Sequence, residues 1–212
     1  VVEAEERWLA EEATLAPGEL QRLHGRSGEG LPRMTTETVT VAVEEALKAH
    51  SRLVVLGDPG SGKTTLLHYL ALLYARDLAE ETAQVQATLL ADEPARLPIL
   101  LPLRQVGSYL QRNTEASTEG HARLLEFLLC SLKEERIALP EAFFDEWLTS
   151  GKAVILLDGL DEVADPELRR RVARLVESFT QAYADCRFVV TSRVVGYAGA
   201  SRLGEEYVTT TV

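Results

Sequence analysis

The sequence predicts an α/β protein built on a parallel β-sheet, and three observations support this prediction. Short apolar runs alternate along the chain with segments whose apolar residues repeat at helical spacing. The run in VILLDGLDEV, Val154 to Val163, shows no polar alternation, which is typical of a strand buried on both faces. A glycine-rich turn, GDPGSGKT, separates the first apolar run from a helical pattern. Together these patterns predict three layers, with helices on both faces of the sheet.

Two regions follow in order along the chain. Residues 1–37 are acidic and helix-like at first and then rich in Gly and Pro, so we expect an N-terminal helical extension and a linker. Residues 38–212 form the second predicted domain, which begins with the short amphipathic helix VAVEEALKAH. We expect the chain to be a fragment of a longer protein. The predicted strands are Leu53–Leu56, Ile99–Leu103, Val154–Leu157, Phe188–Val190 and Tyr207–Val212.

The helix after the third strand has the clearest signals. Asp165 can cap it, and Pro166 suits its first turn. The arginines at positions 169–171 and 174 fall mostly on its outer face, so we interpret them as solvated surface rather than as a binding site. The predicted buried stripe consists of Leu168, Val172, Leu175, Val176 and Phe179.

Composition argues against several functions. With a formal net charge of -11, the protein repels phosphate at long range, which disfavours nonspecific binding to nucleic acid or to anionic membranes. No apolar run approaches the roughly 20 residues of a membrane span. Cys130 and Cys186 lack metal-ligand spacing and lie in apolar segments, so we expect buried, reduced thiols and a cytoplasmic location.

The glycine-rich turn fits the phosphate-loop pattern G-x-x-x-x-G-K-[ST]. Its glycines permit backbone angles that let successive amide N–H groups surround a phosphate, and the predicted helix directs its positive end to the same point. Lys63 would reach the outer phosphates, and the Thr64 hydroxyl would bind magnesium. The predicted nucleotide-binding residues are Gly57, Asp58, Pro59, Gly60, Ser61, Gly62, Lys63, Thr64 and Thr65.

Acidic residues follow the third predicted strand. Because the carboxyl ends of parallel strands share one edge, Asp158 would meet the phosphate loop there and hold magnesium, directly or through water. Asp161 and Glu162 are the candidates for orienting or deprotonating an attacking water. Arg193 follows the fourth strand at the same predicted edge, where its guanidinium could contact a terminal phosphate as a sensor.

These motifs, GDPGSGKTTLL, AVILLDGLDEV and FVVTSR in this order, resemble the NACHT domain of the STAND class of signalling ATPases. PILLPLRQV resembles the second strand of that domain, and the resemblance covers roughly residues 40–212. It implies the strand order 5-1-4-3-2, ATP or ADP with Mg²⁺, slow ATP hydrolysis and a nucleotide-controlled switch. Carried over by motif, Lys63 and Thr64 fall on the family's phosphate-loop positions, and Asp158 falls on its magnesium position. Asp161 and Glu162 fall on its further acidic positions, and Arg193 falls on its sensor position.

The resemblance also implies partners. In that family the ADP form is closed and the ATP form oligomerises, so we expect a homo-oligomer of the ATP-bound full-length protein, with effector and sensor domains outside this chain. A histidine of a later winged-helix domain touches the inner phosphate in the family, but all histidines here precede the acidic motif and cannot take that role. The arginine-rich, lysine-poor composition suggests a GC-rich genome, and hence a bacterial homologue in antiphage defence.

Other functions stay open. A motor-type AAA-like ATPase or another P-loop phosphotransferase would share these motifs, although a kinase needs a basic lid and no Arg-rich lid segment is evident. Intact Asp158, Asp161 and Glu162 argue against a nucleotide-binding scaffold that has lost hydrolysis, because a purely structural site needs no water-activating group. Guanine specificity is disfavoured, because Asn113 is the only asparagine and Thr114, not lysine, follows it. Residues 41–46 could flank the base, but their chemistry singles out no residue.

Overall fold

The computed structural model describes residues 43–89, 93–113, 120–140 and 142–212. The predicted extension and linker at residues 1–37 lie outside the described residues. The strands are β1 (Arg52–Leu56), β2 (Leu97–Pro102), β3 (Ala153–Asp158), β4 (Arg187–Ser192) and β5 (Val208–Thr211). The helices are α1 (Val43–Ala49), α2 (Lys63–Glu80), α3 (Gln84–Thr88), α4 (Leu103–Arg112), α5 (His121–Glu134), α6 (Phe143–Thr149) and α7 (Pro166–Ala182). Two 3₁₀ turns lie at Leu160–Glu162 and Gly199–Ser201.

The strands form one sheet in the order β2-β3-β4-β1-β5, and all neighbouring strands are parallel. Read from the other edge, this is the predicted order 5-1-4-3-2, so the predicted fold is confirmed. Leu53 of β1 pairs with Val189 of β4 on one side and with Val208 of β5 on the other. Because every strand runs the same way, all carboxyl ends lie along one edge of the sheet.

Side chains of the central strands alternate between two hydrophobic cores. On one face, Leu53 and Val55 pack with buried residues of α1, α2 and α3. On the other face, Val54 and Leu56 pack with α4, α5, α6 and α7. Residues 153–157 of β3 are buried on both faces, which explains why that run carries no polar alternation.

Helix α7 confirms the pattern predicted for it. The Leu168 N–H donates to Asp165 Oδ1 at 2.7 Å, so Asp165 is the N-cap, and the predicted apolar stripe is buried. The arginines at positions 170, 171 and 174 are exposed, as expected. Arg169 differs, because it is half-buried and its Nε donates to the Val163 carbonyl at 2.9 Å.

The two cysteines have different environments. Cys186 is buried, as predicted, and burial raises the pKa of its thiol. Cys130 is exposed, so the prediction that it is buried was wrong. Its helix, α5, turns the face that carries Leu124 and Phe127 toward the core, and Cys130 lies off that face.

A buried ion-pair network, absent from the sequence-based predictions, lies where the strands begin. Glu93 accepts hydrogen bonds from Arg187 Nε at 2.9 Å and Nη2 at 3.0 Å, from Arg96 Nε at 2.7 Å and from the Tyr74 hydroxyl at 3.0 Å. Burial disfavours the Glu93 charge, but its hydrogen bonds and the nearby guanidinium groups outweigh that effect and lower its pKa. The network connects α2, β4 and the segment before β2.

Within the described residues, none of the helices has the length and apolar character needed to cross a membrane.

Candidate phosphate-loop site

The loop between β1 and α2 adopts a conformation that requires its glycines. Gly60 and Gly62 have φ of 82° and 92°, in the left-handed region that most side chains disfavour. At Gly57, an added Cβ would lie 2.5 Å from Ser61 Oγ and 2.8 Å from the Val212 carbonyl oxygen. The Gly57 N–H also donates to the Ser192 carbonyl at 3.3 Å, which joins the loop to the end of β4. A larger residue would therefore clash at Gly57, whereas at Gly60 and Gly62 the surrounding space is open and the positive φ is what disfavours a side chain.

Lys63, the first residue of α2, turns back onto this loop. Its Nζ donates to the carbonyl oxygens of Gly57 at 2.7 Å and Asp58 at 2.9 Å, and to Ser61 Oγ at 3.3 Å. These bonds use all three donors of the ammonium group. A ligand that takes Lys63 as a partner must therefore replace at least one of these loop oxygens.

A pocket of about 280 Å³ opens beside the loop, at the carboxyl edge of the sheet. Predicted site residues from the loop, from the segment after β3 and from the end of β4 meet in it. Gly57, Asp58 and Ser61 do not line the pocket but hold Lys63 instead. The lining residues are Pro59, Gly60, Gly62, Lys63, Thr64, Thr65, Asp158, Gly159, Asp161, Glu162, Thr191 and Arg193.

Asp158 is held by the neighbouring strand. The buried Thr191 hydroxyl donates to Asp158 Oδ1 at 2.6 Å, and the Gly159 N–H donates to the same hydroxyl at 2.8 Å. Oδ2 of Asp158 accepts no hydrogen bond from the residues that the structure describes. One carboxylate oxygen is thus fixed, while the other stays available at the pocket.

Asp161 is engaged by Arg193. The Arg193 backbone N–H donates to Oδ1 at 2.9 Å, and the guanidinium Nε lies 3.0 Å from Oδ2. The turn after Arg193 packs closely here, because a Cβ added at Gly196 would lie 2.3 Å from the Asp161 Cβ. Arg169 Nη2 donates to the Asp161 carbonyl at 3.3 Å, which holds the same turn from the other side. Both carboxylate oxygens of Asp161 are therefore in use.

Glu162 is the exposed carboxylate of the pocket. Its side chain accepts no hydrogen bond from the described part of the chain, and it lies against Gly159, where an added Cβ would meet Glu162 Cδ at 2.9 Å. Gly159 has a φ of 72°, in the left-handed region that favours glycine. Of the two predicted candidates for activating water, Glu162 is the one with a free carboxylate.

The donor set suits magnesium rather than a metal held entirely by protein. Among residues 43–89, 93–113, 120–140 and 142–212, no group of three or more His, Cys, Asp or Glu side chains could hold a metal ion. Thr64 and Asp158 together offer one hydroxyl and one carboxylate. Mg²⁺ characteristically uses one or two such protein ligands and takes the others from phosphate and water.

Three residues that shape the site were not predicted from the sequence, and no residue that contacts the nucleobase was identified. Thr191, Gly159 and Gly196 had no assigned role, since their contacts join segments far apart in sequence. Of residues 41–46, suggested as flanking the nucleobase, the first two lie outside the described residues, and Val43, Glu45 and Ala46 do not line the pocket. Ala46 instead is buried in the core.

Of the comparisons with known proteins, a family model gives a match and the curated proteins give none. The model of the family described as "Nephrocystin 3, N-terminal" matches residues 36–193, a range that begins before the phosphate loop and ends at Arg193. Because this match spans more than half of the 212 residues, the chain belongs to the nephrocystin 3 N-terminal family.

Proposed function

We propose that this chain is the nucleotide-binding domain of a signalling NTPase of the NACHT type, in the STAND class. It binds ATP or ADP with Mg²⁺ and hydrolyses ATP slowly. The observation that carries the proposal is one pocket lined by a phosphate loop, a partly free carboxylate, Asp158, and an arginine, Arg193. The order of the motifs, which resembles that of NACHT domains, supports the assignment to the NACHT type.

The loop and α2 would bind the phosphates. The backbone N–H groups of the loop and the first turn of α2 favour negative charge at this point. Lys63 would exchange loop oxygens for phosphate oxygens, which keeps its three donors satisfied. Bound Mg²⁺ would supply charge neutralisation between the outer phosphates, with Thr64 and Asp158 as its protein ligands. At about 280 Å³ the pocket suits the phosphates and the ion, so the nucleoside would extend beyond it.

Hydrolysis would use Glu162 as the base. A water attacks the terminal phosphorus, the bond from that phosphorus to the bridging oxygen breaks, and the proton of the water passes to the Glu162 carboxylate. ADP and inorganic phosphate are the products. Asp161 is less suited to this role because the Arg193 backbone N–H holds its Oδ1 and its side chain is only 10% exposed. The Arg193 guanidinium would leave Asp161 to contact the terminal phosphate, and so respond to its presence.

The switch, the assembly, the location and the biological setting that we propose rest on the resemblance and on composition. The chain acts as a nucleotide-controlled switch in the cytoplasm, and the ATP form of the full-length protein assembles into a homo-oligomer. Effector and sensor domains outside this chain give the output and detect the trigger. Antiphage defence in a bacterial host is the setting that we propose.

The first experiment is a titration of the purified chain with fluorescently labelled ATP and ADP. Lys63→Ala should weaken binding at least about tenfold, because it removes a charge-assisted contact to phosphate. Lys152→Ala is the matched control, since Lys152 is exposed and precedes β3, far from the carboxyl edge. Equal binding by the wild type and Lys63→Ala would overturn the proposed site.

Two further measurements separate the classes of function. Denaturing the purified chain should release ADP, which chromatography would identify, if the site retains its product as a resting switch does. Phosphate release should be slow. Rapid multiple-turnover hydrolysis would instead indicate a motor-type ATPase, and tight binding without any phosphate release would indicate a scaffold.

A further inference from the structure

Thr191 connects the proposed magnesium ligand to the rest of the site. It lies on β4, its side chain is fully buried, and it lines the pocket together with Asp158 and Gly159. We infer that Thr191 is a positioning residue, whose hydroxyl holds Asp158 so that Oδ2 faces the cation. This inference rests on the proposed function, because it concerns how that same site holds Mg²⁺.

Two hydrogen bonds of the Thr191 hydroxyl determine which group it accepts from and which group it donates to. The Gly159 N–H donates to Thr191 Oγ1 at 2.8 Å, so this contact uses the oxygen as an acceptor. The single hydroxyl proton is then donated to Asp158 Oδ1 at 2.6 Å. Thr191 therefore fixes which of the two Asp158 oxygens stays available.

The sheet register places these partners side by side. Leu157 of β3 pairs with Val190 of β4, and Asp158 and Thr191 are the next residue on each strand. Thr191 also pairs with Val55 of β1, the neighbour of β4 on its other side. Strands on both sides therefore hold the Thr191 backbone. A rigid strand thus supports the ligand, which is what an ion with strict octahedral geometry requires.

A second buried threonine, Thr180, satisfies its hydroxyl without any residue of the pocket. Thr180 of α7 is also fully buried. Its hydroxyl donates to the Val176 carbonyl at 2.9 Å, four residues earlier in the helix, and its oxygen lies 2.5 Å from the Tyr207 hydroxyl. Thr191 instead donates to a carboxylate that lines the pocket. Thr180 does not line the pocket, so it provides a matched control for the loss of a buried hydroxyl.

The test is a binding measurement with labelled ADP, in EDTA and at rising Mg²⁺ concentration. Thr191→Val keeps the volume but removes the hydroxyl, whereas Thr191→Ser keeps the hydroxyl. Mg²⁺ should enhance ADP binding, and we expect Thr191→Val to raise about tenfold the Mg²⁺ concentration at which this enhancement is half-maximal. That is the effect typical of removing a partner of a metal ligand. ADP affinity in EDTA should change less than about twofold. Thr191→Ser and Thr180→Val should keep the wild-type Mg²⁺ midpoint.

Other outcomes distinguish failure of the inference about Thr191 from failure of the proposed function. If Thr191→Val weakens ADP binding equally in EDTA and in Mg²⁺, or lowers only the thermal midpoint, the role is merely structural and the inference fails. A wild-type chain that binds ADP without any response to Mg²⁺ also overturns the inference, but not nucleotide binding. A wild-type chain that binds no nucleotide overturns the proposed function itself. Should Thr191→Val not fold, Thr191→Cys, with its weak S–H donor, replaces it under the same criteria.

Discussion

Arg193 contacts Asp161 twice, through its backbone N–H at 2.9 Å and through its guanidinium Nε at 3.0 Å. The two side chains differ in accessibility, since that of Asp161 is 10% exposed and that of Arg193 is 53% exposed. An ion pair with one exposed partner is weak, typically worth less than about 1 kcal/mol. The guanidinium can therefore exchange its partner while the backbone bond keeps Asp161 in place.

We predict that Arg193→Ala lowers the affinity for ATP more than the affinity for ADP. Only ATP carries the terminal phosphate, and a charge-assisted contact to it is worth about 1.5–3 kcal/mol, or roughly tenfold or more in affinity. Titration of both labelled nucleotides measures this difference. Arg171→Ala, at an exposed position of α7, is the control and should change neither affinity. An equal loss for both nucleotides would show that Arg193 does not sense the terminal phosphate.

For the base, we predict that Glu162→Gln lowers phosphate release at least about 100-fold, the usual contribution of a general base. ATP affinity should stay within about twofold, because the amide keeps the shape of the side chain. Asp161→Asn should lower the rate less, since the Arg193 backbone N–H already occupies one of the Asp161 oxygens. Unchanged hydrolysis in Glu162→Gln would rule out Glu162 as the base. A large loss in Asp161→Asn alone would assign that role to Asp161.

A substitution at Gly196 tests how closely the turn after Arg193 packs against the acidic segment. Gly196→Ala would place a Cβ 2.3 Å from the Asp161 Cβ, so the turn or the acidic segment must move. We expect a loss of about 1–3 kcal/mol in the free energy of unfolding, the usual cost of overpacking. Urea unfolding measures this loss. Gly204→Ala is the control, because its closest contacts are the flexible ends of Glu206 and Glu177. Equal stabilities would mean that the turn yields freely.

The buried network around Glu93 should determine much of the stability. Glu93→Gln leaves the Arg187 and Arg96 guanidinium groups without their carboxylate, so we expect a loss of about 3–5 kcal/mol at pH 7. Urea unfolding measures the loss, and Glu134→Gln, at an exposed position of α5, is the control. A loss below about 1 kcal/mol would show that the network contributes little.

The same network gives a pH dependence of defined sign. The pKa of Glu93 is lower in the folded state than in the unfolded chain, so its contribution is fully present above the unfolded pKa. That contribution is lost as pH falls from about 4.3 through the lower pKa of the folded state. The wild type should therefore lose more stability than Glu93→Gln over this range. Parallel decline of both proteins would contradict the assignment.

The phosphate loop and the buried strand β3 could be predicted from the sequence because their signals are local, whereas the strand order was implied only by the resemblance to a known family. Gly60 and Gly62 occupy positions where φ is positive, and the apolar run of β3 reflects burial on both faces. Helix α7 was equally predictable from its cap and its stripe. Cys130 was predicted wrongly, since an apolar neighbourhood in sequence does not specify which side of a helix faces the core.

What the sequence determined by itself is the set of chemical groups and the edge of the sheet where they meet. Parallel strands bring their carboxyl ends together, so Lys63, Asp158 and Arg193 converge whatever the detailed packing is. Tertiary structure alone decided how those groups are paired. Arg193 engages Asp161 and leaves Glu162 free, and Thr191 fixes one oxygen of Asp158. These contacts span about 30 residues of sequence, and their distances depend on strand register and turn packing, which no local pattern encodes.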